Sequence, residues 1–402
     1  MLYVVNNCSC FITMLSLESL LKDNGEVRQC CDIRKPTEVG RFSLDFQRRF
    51  HHDRRQMVCY IPAEARRNGT LLQLLDLNDG YKSPRFVKRD EGVKERLDHM
   101  LQWMVCNKRR FAGKSHFHDV KRQKVEQDQN IIGEPPDFVL WRGHLTKLMC
   151  TPFENRDGWS MACQKLENTV YVSEVETKAA AQRKASSTER EKLMTYWGVR
   201  FEGYMTGRFP KPPETISVRT PKEETIINTN EAFCSVFRTR VNKRHSVVYG
   251  AEVDCCKSVD VLSPPDCYVE LKTSRKFTSR KQEENFYRYK CLKWWAQSYL
   301  AGIPQITCGF RDDDGFVESI RDFSTLDLPN RAMTLHNSWN PSACLTFLDN
   351  LLQAIKEIFQ AVNTSKCTII LSWEPGDKCV SYELSHSPKD CFLHEWYIND
   401  MT

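Results

Sequence analysis

The chain has 402 residues, of which 41% are hydrophobic and 11% aromatic. That composition supplies enough apolar material for a packed core and excludes a mainly disordered protein. The formal net charge of +6, from 58 basic and 52 acidic residues, is too small to identify a nucleic-acid-binding protein by itself. The basic residues gather in short runs at 48–55, 107–114, 121–124 and 242–245, so a polyanionic partner is permitted but not demonstrated.

Eighteen cysteines raise the question of a zinc site or a disulfide framework. No Cys-x-x-Cys spacing occurs, and the pairs Cys30/Cys31 and Cys255/Cys256 are adjacent, which suits neither arrangement. The opening segment lacks a basic n-region, and no apolar run approaches the roughly 18 residues of a membrane span. We therefore predict a reduced, intracellular protein with no membrane partner.

The predicted elements follow from periodicity and from turn and capping residues. The first half comprises a weakly structured segment over 1–35, a helix over 41–50, a strand over 57–62, a helix over 91–106, a strand over 136–149 that carries Arg142, a strand over 169–177 and a helix that ends near Gly198. The second half comprises a Pro-rich loop over 208–225, strands over 232–241, 245–255 and 267–274, a helix that closes at Gly302, a hairpin over 305–320 that turns at 312–315, a helix over 344–362 and a strand over 368–373.

Strands outnumber helices in this series and do not alternate regularly with them. That pattern predicts an α+β fold with mixed or antiparallel sheets. No linker is long enough to demand a second unit, so we predict a single domain over 36–402 after the segment 1–35.

Two of the predicted strands carry charges at alternate positions, Glu252 with Asp254 and Glu270 with Lys272. Residues i and i+2 of a strand share a face, and the apolar neighbours indicate that this face is at least partly buried. Because isolated buried carboxylates are costly, they should pair or hold a metal ion. Hard oxygen ligands suit Mg²⁺ or Mn²⁺. Glu202, on a predicted helix after a glycine, is a candidate to join them.

Other readings of these residues remain open from spacing alone. Each charged motif by itself is also typical of a solvated edge strand, and Arg142 suits either a core ion pair or a phosphate clamp. Gln297 follows Trp294 and Trp295 on a helix, and such tryptophans more often belong to a core than to a base-stacking surface. His144 is expected to be structural, and no serine or cysteine nucleophile motif or Gly-rich phosphate loop occurs.

Five motifs then occur in a specific order: WRGHLTKL at 141–148, GVRFE at 198–202, EVD at 252–254, ELKTS at 270–274 and KWWAQ at 293–297. This ordered set resembles the DXO family of decapping exoribonucleases, and the resemblance extends from about residue 36 to near the C terminus. It implies two twisted mixed or antiparallel sheets flanked by helices, similar to the D-(D/E)XK-type nucleases. The N-terminal 35 residues and the 206–226 loop depart from the family pattern.

The resemblance also implies roles for individual residues. The implied metal ligands are Glu202, Glu252, Asp254, Glu270 and the backbone carbonyl of Leu271. The implied catalytic residues are Glu202, Glu252, Asp254, Glu270 and Lys272. The implied substrate-binding residues are Arg48, Glu95, Trp141, Arg142, Gly143, Cys234, Glu252, Lys272 and Gln297.

The function implied is that of a metal-dependent hydrolase that uses two divalent cations, Mg²⁺ or Mn²⁺. It would remove incomplete caps, NAD-type caps and 5′ triphosphates from single-stranded RNA and degrade RNA from 5′ to 3′. The resemblance further implies a monomer that resides in the nucleus, or in both nucleus and cytoplasm. Two alternatives remain: a non-catalytic RNA-end-binding protein that stabilises a partner 5′–3′ exoribonuclease, and a DNA nuclease, since Glu-x-Lys strands occur widely in such enzymes.

Overall fold

The structure of the protein is a computed structural model that describes residues 3–4, 13–18, 31–61, 75–111, 132–207, 227–257, 263–362 and 367–402. The strands are β1 (Tyr3–Val4), β2 (Thr13–Ser16), β3 (Thr37–Leu44), β4 (Phe50–His51), β5 (Cys59–Tyr60), β6 (Leu75–Asp76), β7 (Phe86–Val87), β8 (Phe138–Trp141), β9 (Trp159–Leu166), β10 (Thr169–Val175), β11 (Thr206–Gly207), β12 (Ile227–Asn228), β13 (Ala232–Val241), β14 (His245–Glu252), β15 (Cys255–Cys256), β16 (Tyr268–Arg275), β17 (Gln305–Arg311), β18 (Phe316–Ser324), β19 (Thr368–Trp373) and β20 (Cys379–Ser385).

The α-helices are α1 (Asp98–Cys106), α2 (Arg142–Cys150), α3 (Lys178–Ala185), α4 (Glu189–Met205), α5 (Arg280–Asn285), α6 (Cys291–Ala301), α7 (Leu328–Met333), α8 (Pro341–Val362) and α9 (Glu395–Met401). Short 3₁₀ turns occupy Lys108–Phe111 and Thr151–Phe153, and a π-helical turn at Phe286–Lys290 joins α5 to α6.

Two mixed sheets organise the described residues. The larger has eleven strands in the order β1-β2-β20-β19-β9-β10-β8-β14-β13-β3-β4, and the smaller has seven in the order β11-β5-β15-β16-β17-β18-β6. Most neighbours are antiparallel, but β8 runs parallel to both β10 and β14, and β16 runs parallel to β17. The predicted α+β class with two mixed sheets is confirmed.

The core lies between the two sheets. Val247 and Tyr249 of β14 share one buried cluster with Ile306 and Cys308 of β17, and Trp295 of α6 belongs to it. A second cluster covers the outer face of the larger sheet with α1, and a third covers the outer face of the smaller sheet with α4. The two sheets therefore face each other, with α4 held on the outside of the smaller one.

The helix predicted over 41–50 is wrong. Residues 41–44 continue β3, which pairs with both β13 and β4, and a turn at 45–49 follows. The Asp45 carboxylate closes this turn by accepting the backbone N–H groups of Gln47 and Arg49 at 2.9 and 3.0 Å. Arg48 adopts φ +62° there, a left-handed conformation that a helix does not contain.

The strand predicted over 136–149 is also wrong beyond residue 141. Trp141 ends β8 with extended backbone (ψ 149°), and Arg142 is the first residue of α2. The apolar positions Leu145, Leu148 and Met149 in that segment follow helical spacing and are fully buried. Arg142 consequently projects from a strand-to-helix junction and not from a sheet face.

Two further helices differ from their predicted bounds. The helix predicted over 91–106 begins at Asp98, because Arg96 has φ +42° and the residues before it form turns. The helix expected to end near Gly198 is two helices, and α4 continues to Met205. Its buried face of Tyr196, Trp197, Phe201 and Met205 keeps α4 packed on the smaller sheet beyond the glycine.

The other predicted elements are confirmed within small shifts. Gly302 ends α6 in a left-handed conformation (φ 65°), and Asp312–Gly315 forms the turn between β17 and β18. The predicted loop over 208–225 lies outside the described residues, and so does most of 1–35, of which β1 and β2 extend the edge of the larger sheet. In the described part of the chain no helix is long and apolar enough to cross a bilayer.

Candidate active site

The end of β14 delivers the first two carboxylates. Glu252 is the last residue of the strand and is exposed, whereas Val253 is buried and its N–H donates to the Phe233 carbonyl at 3.0 Å. Asp254 lies just beyond the strand, and its Oδ2 accepts the backbone N–H of Leu271 in β16 at 2.6 Å. The short β15 pairs with β16 only as far as Val269, so that amide is left for a side chain.

The neighbouring strand β16 delivers the charge pair that alternation predicts. Lys272 Nζ lies 2.5 Å from Glu270 Oε1, which confirms that the two side chains share a face. Arg142 Nη1 lies 3.1 Å from the other oxygen of the same carboxylate. Arg142 reaches it because β8 runs parallel to β14 and pairs Trp141 with Gly250, which places the start of α2 next to the end of β14.

Glu202 approaches from α4 on the outer side of the smaller sheet. The preceding residue, Phe201, is fully buried against Gly309 of β17, where a Cβ atom would lie only 2.5 Å from the Phe201 ring. The indole of Trp197 packs in the same way on Gly315, which has φ +91°. The glycines let α4 lie close to the sheet, and Glu202 joins the electrostatic neighbourhood of Asp254 and Glu252.

The carboxyl groups of the site, of which only Glu270 is fully buried, differ sharply in their pKa values. Burial alone would raise the pKa of Glu270, but Arg142 and Lys272 bring that pKa down to about 2. Burial raises the pKa of Asp254 to about 7, and the adjacent Glu270 charge adds to the rise. Burial also raises the pKa of Glu202 well above its usual range, with Asp254 as the next largest cause. The site therefore contains carboxyl groups that repel one another more than its cations compensate.

The pKa values of Glu252 and of the two cations, Arg142 and Lys272, are also shifted. Burial raises the pKa of Glu252 although the side chain keeps solvent access, and Arg48, Arg142 and Arg89 oppose the rise. Burial would lower the pKa values of Arg142 and Lys272, but Glu270 and Asp254 raise both. Both cations thus remain charged.

The donor set matches what a hard divalent cation takes. The four carboxyl groups supply oxygen ligands, and excess negative charge is what a cation would relieve. Within the described residues no three acidic, histidine or cysteine side chains already form a closed ligand set, because Glu270 is turned to Arg142 and Lys272 and Asp254 to Leu271. The residues fit divalent cations in chemistry, and Glu270 would have to exchange partners to bind one.

Arg48 and Glu95 form a second group at the site. Two guanidinium nitrogens of Arg48 donate to Glu95 at 2.9 and 2.6 Å, and a third donates to the Asn230 carbonyl at 2.9 Å. Two residues absent from the sequence-based prediction complete the group. Arg89 donates to Glu95 at 2.8 Å, and buried His99 lies 3.4 Å from the same carboxylate. No sequence pattern indicated Arg89 or His99, because each contributes through its contact with the Glu95 carboxylate, which only the three-dimensional structure shows.

The remaining predicted substrate-binding residues occupy different surroundings. Cys234 is buried, pairs with Glu252 across β13 and β14, and has a pKa raised by burial. The Trp141 indole N–H donates to the Arg96 carbonyl at 2.8 Å and its ring packs on Gly250, so much of this side chain is structural. Gly143 and Gln297 line a cleft. His144, expected to be structural, is buried against the Val172 carbonyl, and burial lowers its pKa to about 4.

This cleft has a volume of about 940 Å³, is lined by residues of α2, α3, α4 and α6 and reaches Gly143 next to Arg142, but none of the four carboxylates lines it. Its basic lining residues are Lys88, Arg89, Lys147, Arg183, Lys184, Lys192 and Lys293. None of them belongs to the basic runs of the sequence, of which 121–124 lies outside the described residues. Several are paired with acids, for example Lys293 with Glu154 at 2.7 Å. The charge of the cleft is assembled from separate elements and was not predicted.

Comparison with known proteins agrees with the resemblance drawn from the motifs. The chain matches the family described as RAI1 like PD-(D/E)XK nuclease over residues 34–398. It is 38% identical over 371 residues to a Xenopus laevis protein named "Decapping and exoribonuclease protein", covering 92% of this chain and 86% of that protein.

Solved structures share the fold. Scheffersomyces stipitis Rai1 in complex with (3′-NADP)⁺ and calcium ion superposes with a TM-score of 0.74 at 20% identity, covering 99% of each chain. Candida albicans Rai1 in complex with pU5-Mn²⁺ superposes with a TM-score of 0.73 at 18% identity, covering all of this chain and 99% of that one.

Proposed function

This chain belongs to the RAI1-like PD-(D/E)XK nuclease family, and from that membership we propose that it is a hydrolase of RNA 5′ ends. The proposed reactions are removal of incomplete caps, NAD-type caps and 5′ triphosphates, together with 5′-to-3′ degradation of single-stranded RNA. The proposal gives the chain a role in quality control of RNA 5′ ends.

One observation carries this proposal. Four carboxyl groups, from β14, the β14–β15 junction, β16 and α4, lie in one electrostatic neighbourhood with Lys272 and Arg142. Buried charges of one sign are expensive, and a fold keeps them only where something offsets the cost. A nuclease site that loads divalent cations provides such an offset.

We propose that two divalent cations, Mg²⁺ or Mn²⁺, are held by Glu202, Glu252, Asp254, Glu270 and the Leu271 carbonyl. When bound, such cations lower the pKa of water and neutralise phosphate oxygens. Support comes from the oxygen-rich donor set and from the ions named in the related structures, calcium and manganese. The experiment below distinguishes Mg²⁺ from Mn²⁺.

The chain's own cations have a distinct task in this proposal. Lys272 and Arg142 hold charge that remains at any physiological pH, because nearby carboxylates raise the pKa of each. Both point at Glu270, so a phosphate entering the site would meet two preoriented donors. Gln297, which lines the cleft, would orient the RNA 5′ end together with Arg48 and Glu95.

The deciding experiment incubates purified protein with 5′-triphosphate, NAD-capped and methyl-capped RNAs in Mg²⁺ or Mn²⁺ and resolves the products by mass. We expect cleaved ends and shortened RNA with at least one of the three substrates, and none in EDTA. A protein that retains RNA in EDTA and never shortens it in either metal would instead be the non-catalytic end-binding alternative. An equal-length DNA oligonucleotide in the same assay tests the DNA nuclease alternative.

Three further attributes remain predictions. We propose that the protein acts as a monomer, which light scattering coupled to gel filtration would check. We propose nuclear residence, with or without a cytoplasmic pool, which imaging of the tagged full chain would check. Association with a 5′–3′ exoribonuclease is tested by co-purification of the two proteins, and a stable complex would add a stabilising role to the enzymatic one.

A further inference from the structure

The face of β16 that carries Glu270 and Lys272 continues to Ser274. Residues two apart on a strand point the same way, so Ser274 is the next side chain on this face, about 6.6 Å beyond Lys272. Ser274 is buried, and its hydroxyl accepts a hydrogen bond from Lys290 Nζ at 3.2 Å. Nothing in the proposed catalytic chemistry uses either residue.

Lys290 and Lys272 lie on the same side of the smaller sheet. Cys308 of β17 is the direct neighbour of Lys272 across the β16–β17 ladder. Burial raises the pKa of the Cys308 thiol, and Lys290, Arg321 and Lys272 oppose that rise, in that order of strength. The two ammonium groups therefore flank one buried thiol.

The charge of Lys290 is not compensated locally. Lys290 as a whole residue is exposed. Partial burial of its ammonium group nevertheless lowers the pKa of that group, and nearby Arg311 lowers it further. Among the residues that the structure describes, no carboxylate lies within ion-pair distance of it. A partly desolvated cation without an anion gains from binding one.

The geometry of α6 indicates independently which way the Lys290 side chain points. Lys290 ends the π-helical turn in helical backbone immediately before α6, and Gln297 lies seven residues later on that helix. Seven residues are close to two full turns, so both side chains project from one face, about 10.5 Å apart along the axis. Gln297 lines the cleft, and the same face leads from there to Lys290.

We propose that Lys290, held by Ser274, is a second phosphate-binding position that takes the phosphodiester next to the scissile one. Ser274, which holds Lys290, lies one strand step of about 6.6 Å beyond Lys272 on the same face of β16, so the two lysines serve neighbouring positions along that face. This inference rests on the proposed function, because it needs an RNA strand whose reacting phosphate is at Lys272. It makes Lys290 a determinant of strand binding that a substrate with a single phosphodiester would not use.

The first test compares Lys290→Gln with Lys281→Gln, which removes the same charge from an exposed position on α5. RNA binding is measured by fluorescence anisotropy with a 5′-phosphorylated pentauridylate in Ca²⁺. We expect Lys290→Gln to weaken binding about tenfold and to make the plot of log Kd against log salt shallower by about 0.7. Lys281→Gln should leave both quantities unchanged, and Lys290→Arg should restore the affinity.

The second test identifies the phosphate. A pentauridylate with a neutral methylphosphonate at the linkage next to the scissile one should bind the unmodified protein about tenfold more weakly than the parent RNA. Lys290→Gln should bind the two RNAs equally, since the contact is already absent. Ser274→Ala, which leaves the ammonium in place but unheld, should show a smaller loss.

The outcomes distinguish a failure of the Lys290 phosphate position from a failure of the proposed function. If Lys290→Gln cleaves and binds RNA like the unmodified protein, or stays sensitive to the methylphosphonate, the second phosphate position is wrong and the proposed function stands. If the unmodified protein binds RNA but cleaves nothing in Mg²⁺ or Mn²⁺, the proposed function fails while the binding comparison still decides the role of Lys290. If it binds no RNA, both are wrong.

Discussion

The two ends of β14 lie beside aspartates in opposite electrostatic states, the buried Asp349 and the half-buried Asp254. At the start of the strand, Asp349 of α8 accepts hydrogen bonds from Asn242 at 2.7 Å and from Arg244 at 2.8 and 2.6 Å. His245 Nε2 lies 3.3 Å away. Burial would raise the pKa of Asp349, but these partners bring it down to about 2.

At the other end, Asp254 has one hydrogen bond from the Leu271 amide, and burial together with Glu270 raises its pKa to about 7. The same residue type is thus satisfied at one end of the strand and strained at the other. Hydrogen-bond partners lower the pKa of Asp349 against its burial, whereas a single backbone donor and the adjacent Glu270 charge leave the pKa of Asp254 raised. The predictions below test this contrast.

The largest effect should come from neutralising the strained aspartate. We expect Asp254→Asn to lower kcat/KM on RNA by at least about a thousandfold, because a proposed cation ligand is lost. Its free energy of unfolding in EDTA at pH 8 should be unchanged or higher, since one repelling charge is gone. Glu318→Gln, at an exposed pair with Lys276, serves as the control. Activity within tenfold of the unmodified protein would contradict the assignment.

The satisfied aspartate should show the reverse. Asp349→Asn leaves Arg244 with a weaker acceptor, and we expect the free energy of unfolding at pH 7 to fall by about 2 kcal/mol. The kcat/KM per folded molecule should stay the same. Urea unfolding measures the first quantity, with Asp266→Asn at the exposed Lys35 pair as a control worth below about 1 kcal/mol. An equal loss of activity in folded protein would mean that the two ends are not independent.

Displacing Glu202 should have a smaller effect than removing a carboxylate. Gly309→Ala puts a Cβ atom 2.5 Å from the Phe201 ring, so α4 must move outward or the core must strain by about 1–3 kcal/mol. We expect weaker Mn²⁺ binding by calorimetry, restored when Phe201→Leu is added. Gly203→Ala is the matched control on α4, because nothing lies within 4 Å of its added Cβ. Unaltered Mn²⁺ affinity in Gly309→Ala would show that the glycine does not position Glu202.

The smallest expected effect is the pH dependence of stability. The pKa of Asp254 is raised in the folded state, so its contribution to stability is full below about pH 4 and is lost as pH rises through about 7. Asp349 behaves oppositely, and its contribution is lost only as pH falls towards about 2. Between pH 5 and 8 in EDTA, Tm should therefore fall by at least about 2 °C.

Adding Mn²⁺ to the measurement of Tm against pH gives a second test of the same contrast. It should raise Tm more at pH 8, where the carboxyl groups are ionised, than at pH 5, where protons compete for the same oxygens. The groups that face Asp254 and share in this response are Glu202, Glu252, Glu270, Lys272 and Arg142. Asp254→Asn should reduce both the pH dependence and the Mn²⁺ effect. A Tm that is flat from pH 5 to 8 in EDTA would remove the contrast between the two ends.

Much of the site could be predicted from sequence because strands alternate. Glu270 and Lys272 had to share a face, and the apolar neighbours indicated at least partial burial, which the structure confirms for these two residues but not for the exposed Glu252. The ordered motifs predicted the family, and the family match confirms it. Strand alternation does not predict the positions of Glu202 and Arg142. One comes from a helix on the far side of a sheet and the other from a helix start, so the residues suggested them only as candidates and the resemblance implied their roles.

The failures have a common physical cause. The helix predicted over 41–50 reads plausibly by composition, but the hydrogen bonds of Asp45 and the positive φ of Arg48 turn the chain there. Arg89, His99 and Lys290 escape prediction because their meaning arises from contacts across more than one element. The basic lining of the cleft likewise depends on several elements, since its lysines and arginines lie on α2, α3, α4 and α6 and in the segment after β7, and none belongs to a basic run of the sequence.

The shortness of β15 has a practical consequence. Because its ladder with β16 stops at Val269, a single backbone amide at Leu271 depends on the Asp254 carboxylate for protection from solvent exchange. Deuterium uptake at that one position would therefore report where Asp254 points, without substrate, label or mutation. Faster uptake on titrating a cation would show the carboxylate turning away from its own sheet.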